Sequence, residues 1–131
     1  MKLTSFIVLF ASVGISTPTL ANTYKVTEIH DGDTISVVNR YDRSAKRIRL
    51  ACIDAPEHSQ PQGKLSSITL SAFIPVGSKV ELNIVDTDKY GRSVAEIFKN
   101  RVNVNQSLLK KGQAIVYHRY LYSVSQLDEV Q

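Results

Sequence analysis

The stretch Arg47-Ile48-Arg49-Leu50-Ala51-Cys52-Ile53-Asp54-Ala55-Pro56-Glu57 begins as a strand and ends as a cluster of acids. Ile48, Leu50 and Cys52 share one parity, which suits a strand with one buried face. Pro56 fixes its own φ and holds Ala55 extended, so the chain leaves the strand along a defined path. Strict alternation places Arg49 and Asp54 on opposite faces. A shared site therefore requires a bend or bulge near the strand end, or Asp54 beyond the regular pleat. Taken alone, the stretch is equally a strand with one charged face running into a Pro turn.

Working outward, the 131 residues suffice for one small domain. Residues 1–21 read as a separate segment. Lys2 precedes an apolar run from Ile7 to Ile15, and Thr19-Leu20-Ala21 follows with small residues at its first and third positions. This is the pattern of a secretory signal cleaved after Ala21, which implies a periplasmic or secreted protein. The run is too short to span a membrane, and no later segment is long and apolar enough. The domain expected at 22–131 has 110 residues, with fifteen Lys and Arg against twelve Asp and Glu, a net charge of +3. Such a charge permits a polyanionic partner without requiring one. A single cysteine, Cys52, excludes an internal disulfide. Its place beside Ile48 and Leu50 marks a core residue, since no adjacent base activates the thiol.

Tyr24–Ile29 reads as the first strand, Asp31-Gly32-Asp33 as a tight turn with Gly32 free to take positive φ, and Thr34–Val38 as the return strand. Asn39–Lys46 is a polar, basic loop. After the quoted stretch, His58–Gly63 reads as a second loop. Leu65, Ile68, Ala72 and Phe73 then recur at helical spacing, ended by Pro75. Val80, Leu82 and Ile84 alternate as a strand. Asp86–Gly91 is a polar turn, and Arg92–Phe98 is the next strand. Asn103 is a good N-cap for a helix carrying Val104, Leu108 and Leu109, with Lys110 and Lys111 at its negative end and Gly112 placed to stop it. Ala114–Tyr117 is apolar, and Ser123–Gln131 reads as the start of another helix. Five strands in so short a chain are most economically closed into a small barrel, because closure removes exposed edges.

Three acids lie beside turns or strand ends: Asp33, Asp54 and Glu57. Two arginines are similarly placed, Arg49 and Arg92. Clustered carboxylates need a cation, or repulsion raises their pKa values. Oxygen ligands without paired His or Cys favour Ca²⁺ or Mg²⁺ over zinc. Arginine offers a planar fork matched to phosphate oxygens. A divalent ion, two arginines and a spare carboxylate together suit phosphodiester hydrolysis. His30, His58 and His118 lack metal-ligand spacing and read as surface or turn residues.

Asp31-Gly32-Asp33-Thr34, then Arg49 through Glu57, then Asp88-Lys89-Tyr90-Gly91-Arg92 occur in the order and near the spacing of the thermonuclease family. The chain resembles the staphylococcal nuclease-like proteins over residues 24 to about 120. The resemblance implies a β-rich α+β fold: an OB-fold five-stranded barrel with two to three helices, the C-terminal one shortened. It implies a Ca²⁺-dependent endonuclease on DNA and RNA that leaves 3′-phosphate ends and works as a monomer on single-stranded or frayed regions. By motif, Asp33 and Asp54 would be carboxylate ligands of Ca²⁺, with the backbone carbonyl of Ala55 as a third. Glu57 would be the general base or water-orienting group. Arg49 and Arg92 would hold the scissile phosphate. Lys89 and Tyr90 match positions that contact the neighbouring nucleotide. Tyr117 and Tyr120 match a base-packing tyrosine equally well.

Two departures stand out. Position 55 is commonly Thr in the family and is Ala here, so a side-chain contact is lost while the carbonyl remains. The chain ends at Gln131, where the family usually continues into a longer helix; about two turns are marginal alone. Two other readings compete: a non-catalytic OB module that binds nucleic acid, and an inactive, C-terminally truncated nuclease remnant.

Overall fold

The computed structural model describes residues 22–117. The expected signal segment, the expected helix at Ser123–Gln131, His118 and Tyr120 all lie outside the described residues. Eight strands and two helices follow in order: β1 (Thr23–Asp31), β2 (Thr34–Asn39), β3 (Ala45–Leu50), β4 (Ile53–Asp54), α1 (Gly63–Phe73), β5 (Lys79–Thr87), β6 (Ser93–Lys99), β7 (Val102–Asn103), α2 (Val104–Lys110) and β8 (Ile115–Val116).

The sheet runs β3-β2-β1-β5-β6-β7, and β3 pairs again with β6, in parallel, from Ile48↔Ser93 to Leu50↔Ala95. That pairing closes β1, β2, β3, β5 and β6 into a five-stranded mixed barrel of OB type, as expected. Closure leaves neither β3 nor β6 as an open edge beside the site. Alternation fills the interior: Val26, Ile35, Val37, Ile48, Leu50 and Ile97 are at most 1% exposed. Each contributes about 1.5–3 kcal/mol by leaving water. The strands β4, β7 and β8 are two residues each, too short for a periodic pattern to reveal.

Helix α2 forms as its sequence dictates. The Asn103 side chain accepts from the Gln106 N–H. At the other end Gly112 is at φ +68, its N–H donates to Leu109 O, and the Gln113 N–H donates to Leu108 O. These two bonds are a Schellman termination. Asn103 also donates to the fully buried Glu96, whose other oxygen accepts from Asn83. Asn105, equally buried, donates to Ala51 O and Ala95 O and accepts from the Ile97 N–H. It thereby pins α2 across the line where β3 meets β6.

Helix α1 departs from its apparent pattern. Gly63, Ser66, Ser67 and Leu70 are its buried residues. Leu65, Ile68 and Ala72 face solvent, with Leu65 51% and Ile68 55% exposed. Small residues face inward because the helix lies very close to the chain beneath. A Cβ on Gly63 would run into Glu57 O, and one on Gly32 would stand 2.6 Å from Ser66 Cβ and 2.9 Å from Ala55 Cβ. Gly32 does not adopt the positive φ expected of the turn; it is required by close approach. Periodicity cannot distinguish an apolar stripe facing a core from one facing water. His30 also differs from the expectation: it lies on β1, half-buried, with Nε2 2.6 Å from Ser36 Oγ.

Candidate active site

The bend required between Arg49 and Asp54 is present. β3 stops at Leu50, Ala51 and Cys52 turn, and β4 starts at Ile53. Cys52 sits at φ +62, a left-handed conformation that costs a side-chain-bearing residue about 1–2 kcal/mol. The surroundings hold it there. Its carbonyl accepts from the Tyr117 N–H at 2.7 Å, where β8 pairs with β4. Its side chain is 1% exposed, in the core as expected. Arg49 completes the clasp: Nη1 donates to Leu50 O and Ile53 O at 2.9 Å each. The same guanidinium lies 3.3 Å from Asp33 Oδ2 and 3.2 Å from Asp54 Oδ1. One side chain thus fixes the bend and collects two carboxylates, one from the β1–β2 turn and one from β4.

Asp33 is 6% exposed. Its Oδ1 accepts from the Thr34 hydroxyl, its Oδ2 from the Ala55 N–H, and its own N–H donates to Asp31 Oδ1. Burial pushes the Asp33 carboxyl up to about 7, with the neighbouring Asp31 carboxyl adding to the rise. Arg49 and the Ala55 N–H pull the other way without restoring the ordinary value. A buried carboxyl in this condition accommodates a positive charge. Asp54 is more open, its side chain 57% exposed. The donors are all oxygen, which fits a hard divalent ion that keeps several waters. They do not form a closed cage: among the described residues, no group of three or more His, Cys, Asp or Glu could hold a metal. Asp33 and Asp54 meet at Arg49, and Glu57 does not join them. Glu57 is exposed on a turn closed by Gln60, whose Oε1 accepts from the Glu57 N–H and whose N–H donates to Glu57 O.

Arg49 and Asp54 open onto a groove of about 450 Å³, whose far wall is the turn from Asp88 to Arg92 with Tyr117 beside it. Asp88 organises that turn. Its Oδ1 accepts from the N–H groups of Tyr90 and Arg92, and its Oδ2 accepts from Arg92 Nε at 2.7 Å. Desolvation alone would raise the Asp88 carboxyl, but bonds from the Arg92 side chain and from the Arg92 and Tyr90 N–H groups hold it below its ordinary value. Tyr90, 71% exposed, has Lys89 Nζ 5.1 Å and Arg92 Cζ 5.3 Å from its ring centre. Such cation–π contacts steady both cations at the groove wall.

The structure therefore gathers Arg49, Asp54, Lys89, Tyr90, Arg92 and Tyr117 around one groove, with Asp33 behind Arg49 and the buried Ala55 against Asp33. Sequence reading missed three supports. Asp88 orients Arg92, and its spacing of four residues before an arginine across a Gly turn was a usable signal. Asn105 and the left-handed Cys52 carried none, since a buried amide and a strained φ depend on partners distant in sequence.

Fold and site together define a closed OB-type barrel with a groove lined by Arg49, Lys89 and Arg92 at its surface. A family model for staphylococcal nuclease homologues matches residues 47–131, beginning within the bend strand. The chain belongs to that family. A protein of Haemophilus influenzae named "Uncharacterized endonuclease" is 38% identical over 99 residues, which covers 76% of this chain and 54% of that protein. A protein of the same name from Escherichia coli O157:H7 is 37% identical over 97 residues, covering 73% and 61%. "Probable staphylococcal-like nuclease CAN1" of Oryza sativa subsp. japonica is 40% identical over 74 residues, covering 56% and 22%. The chain spans a little over half the length of the bacterial relatives it matches.

Proposed function

We propose that this protein is a Ca²⁺-dependent endonuclease that hydrolyses phosphodiester bonds of DNA and RNA and leaves 3′-phosphate ends. The observation that carries the reading is the convergence of Arg49 and Arg92 on one groove, with two carboxylates gathered at the first arginine. Two guanidinium groups can hold one phosphodiester by several N–H donors. As water attacks, charge accumulates on the non-bridging oxygens, and pre-oriented donors stabilise it there. Arg49 is anchored by the Leu50 and Ile53 carbonyls and Arg92 by Asp88, which orients both side chains before the step. Asp33, Asp54 and the carbonyl of Ala55 would hold Ca²⁺, which supplies Lewis-acid charge to the phosphate when bound. By motif Glu57 would take the proton of the attacking water; its exposed turn lies outside the groove lining, so this role requires the turn to swing toward Asp54 when substrate binds. A bond forms from the water oxygen to phosphorus, the bond to the 5′ oxygen breaks, and that oxygen takes a proton from solvent, which balances the one removed from the attacking water. Lys89, Tyr90 and Tyr117 line the same groove and would contact a neighbouring nucleotide there. The pattern of residues 1–21 supports export to the periplasm or medium.

The test is digestion of labelled single-stranded DNA and RNA by the purified protein, with Ca²⁺ and with chelator. Cleavage that requires Ca²⁺, falls at least a hundredfold in Asp54→Ala, and yields 3′-phosphate ends is expected. Binding without cleavage at millimolar Ca²⁺ overturns the enzymatic reading in favour of a binding module.

A further inference from the structure

The outward face of β3 extends beyond the groove. Ile48 and Leu50 point into the barrel, so Arg47 and Arg49 share the opposite, outer face. They stand about 6.6 Å apart along the strand, two residues at its usual rise. That interval is comparable to the spacing of successive phosphates in an unstacked single strand. From Arg47 the chain leads back to the β2–β3 hairpin tip. Between Arg40 and Arg47 lie four cations, Arg40, Arg43, Lys46 and Arg47, against the single carboxylate of Asp42. No ion pair involves those four among the described residues. The Asp42 carboxylate is already engaged by Ser44, which holds it below its ordinary pKa.

The tip is a built loop. Asn39, 6% exposed, accepts from the Tyr41 and Asp42 N–H groups through Oδ1. Its backbone exchanges bonds with Ser44 and Arg43, and the Arg40 N–H donates to Thr23 O. Arg43 is held at φ +64. On this fixed frame Tyr41 stands 73% exposed. An exposed ring beside a row of cations is the combination that binds unpaired bases by stacking and backbone by charge.

Resting on the nuclease reading above, we infer that β3 and its hairpin form a track for the substrate strand, which reaches from Arg49 through Arg47 to Arg43, Arg40 and Tyr41. The ligand is single-stranded nucleic acid several nucleotides long, gripped away from the bond that is cut. None of these tip residues touches the reacting phosphate, so they set affinity for polymer and leave the chemical step alone.

The test uses the full chain and two labelled thymidine oligonucleotides, of three and twelve residues. Fluorescence anisotropy in chelator reads binding; hydrolysis with Ca²⁺ reads KM and kcat. In Arg43→Gln/Arg47→Gln, affinity for the twelve-mer should fall about tenfold, and the slope of log affinity on log salt should shrink by about 1.4. Tyr41→Ala should weaken the twelve-mer about fivefold or more. Neither variant should change binding of the three-mer, kcat or the melting temperature. Equal loss for both oligonucleotides, or for neither, overturns the track. So does parallel loss of dextran sulfate binding with no effect of Tyr41→Ala, which would mark a general polyanion patch. If the parent protein binds but never cuts, the nuclease reading fails, and the anisotropy arm still decides the track.

Discussion

Arg49→Ala tests whether one side chain holds both the bend and the site. The guanidinium is 17% exposed, and its Nη1 donates to the Leu50 and Ile53 carbonyls. Charge-assisted bonds are worth about 1.5–3 kcal/mol each, and two that share one nitrogen should together contribute about 3 kcal/mol. The Asp54 contact adds little to stability, because that carboxylate is largely exposed and its attraction is screened. For a domain of this size about 3 kcal/mol lowers the melting temperature by about 12–18 °C. Loss of one preorganised donor at the phosphate should lower kcat by about 10²–10³. Arg49→Lys keeps the charge but loses the planar fork; it should recover part of the stability and little of the activity. Circular dichroism melts in chelator, followed by hydrolysis of a labelled oligonucleotide with Ca²⁺, read both quantities. A melt of Arg49→Ala within about 2 °C of the parent protein would refute the clasp.

Gly32→Ala should destabilise by about 1–3 kcal/mol in a denaturant titration, because its Cβ meets Ser66 and Ala55 inside contact distance. Pairing it with Ser66→Gly should recover part of that loss. Asp88→Asn should lower kcat/KM about tenfold, which is about 1.4 kcal/mol, with the melt little changed, since it frees Arg92 without touching the core. The carboxyl of Asp33 is raised from 3.8 to about 7 in the fold, so the folded state binds this proton more tightly than the unfolded chain. Without metal, its stabilising share is full below pH 4 and is lost as pH rises through about 7. Calcium, which competes with that proton, should bind more tightly across the same rise and restore the stability, as melts with and without Ca²⁺ from pH 5 to 8 would show.

What was legible from residues alone was whatever local chemistry specifies. Alternation in Thr34–Val38, Ile48–Leu50 and Val80–Ile84 marked strands, though the parity that carried the reading on to Cys52 failed at the turn; Asn103 and Gly112 bounded α2, and Pro56 and Pro75 stopped what preceded them. The ordered motifs around Asp33, Asp54 and Arg92 marked one family, because such a set of turns and charges rarely recurs together. Hidden was everything that depends on which distant surfaces meet. Leu65, Ile68 and Ala72 of α1 point to solvent, while Phe73 of the same expected stripe packs on the core, because Gly32 and Gly63 admit a closer helix face lined with serines. Likewise Cys52 is held left-handed by a partner 65 residues later in the chain, and Glu57 sits on a turn closed by Gln60, outside the groove that Arg49 and Asp54 line.

The order of charged residues along the chain thus determined which groups are available to the chemistry, since valence and pKa belong to the side chain itself. Only the closed barrel decided which of them share a cavity. Convergence follows from the pairing of β3 with β6 and from the strained bend between Leu50 and Ile53, and both are long-range packing events that no local pattern encodes.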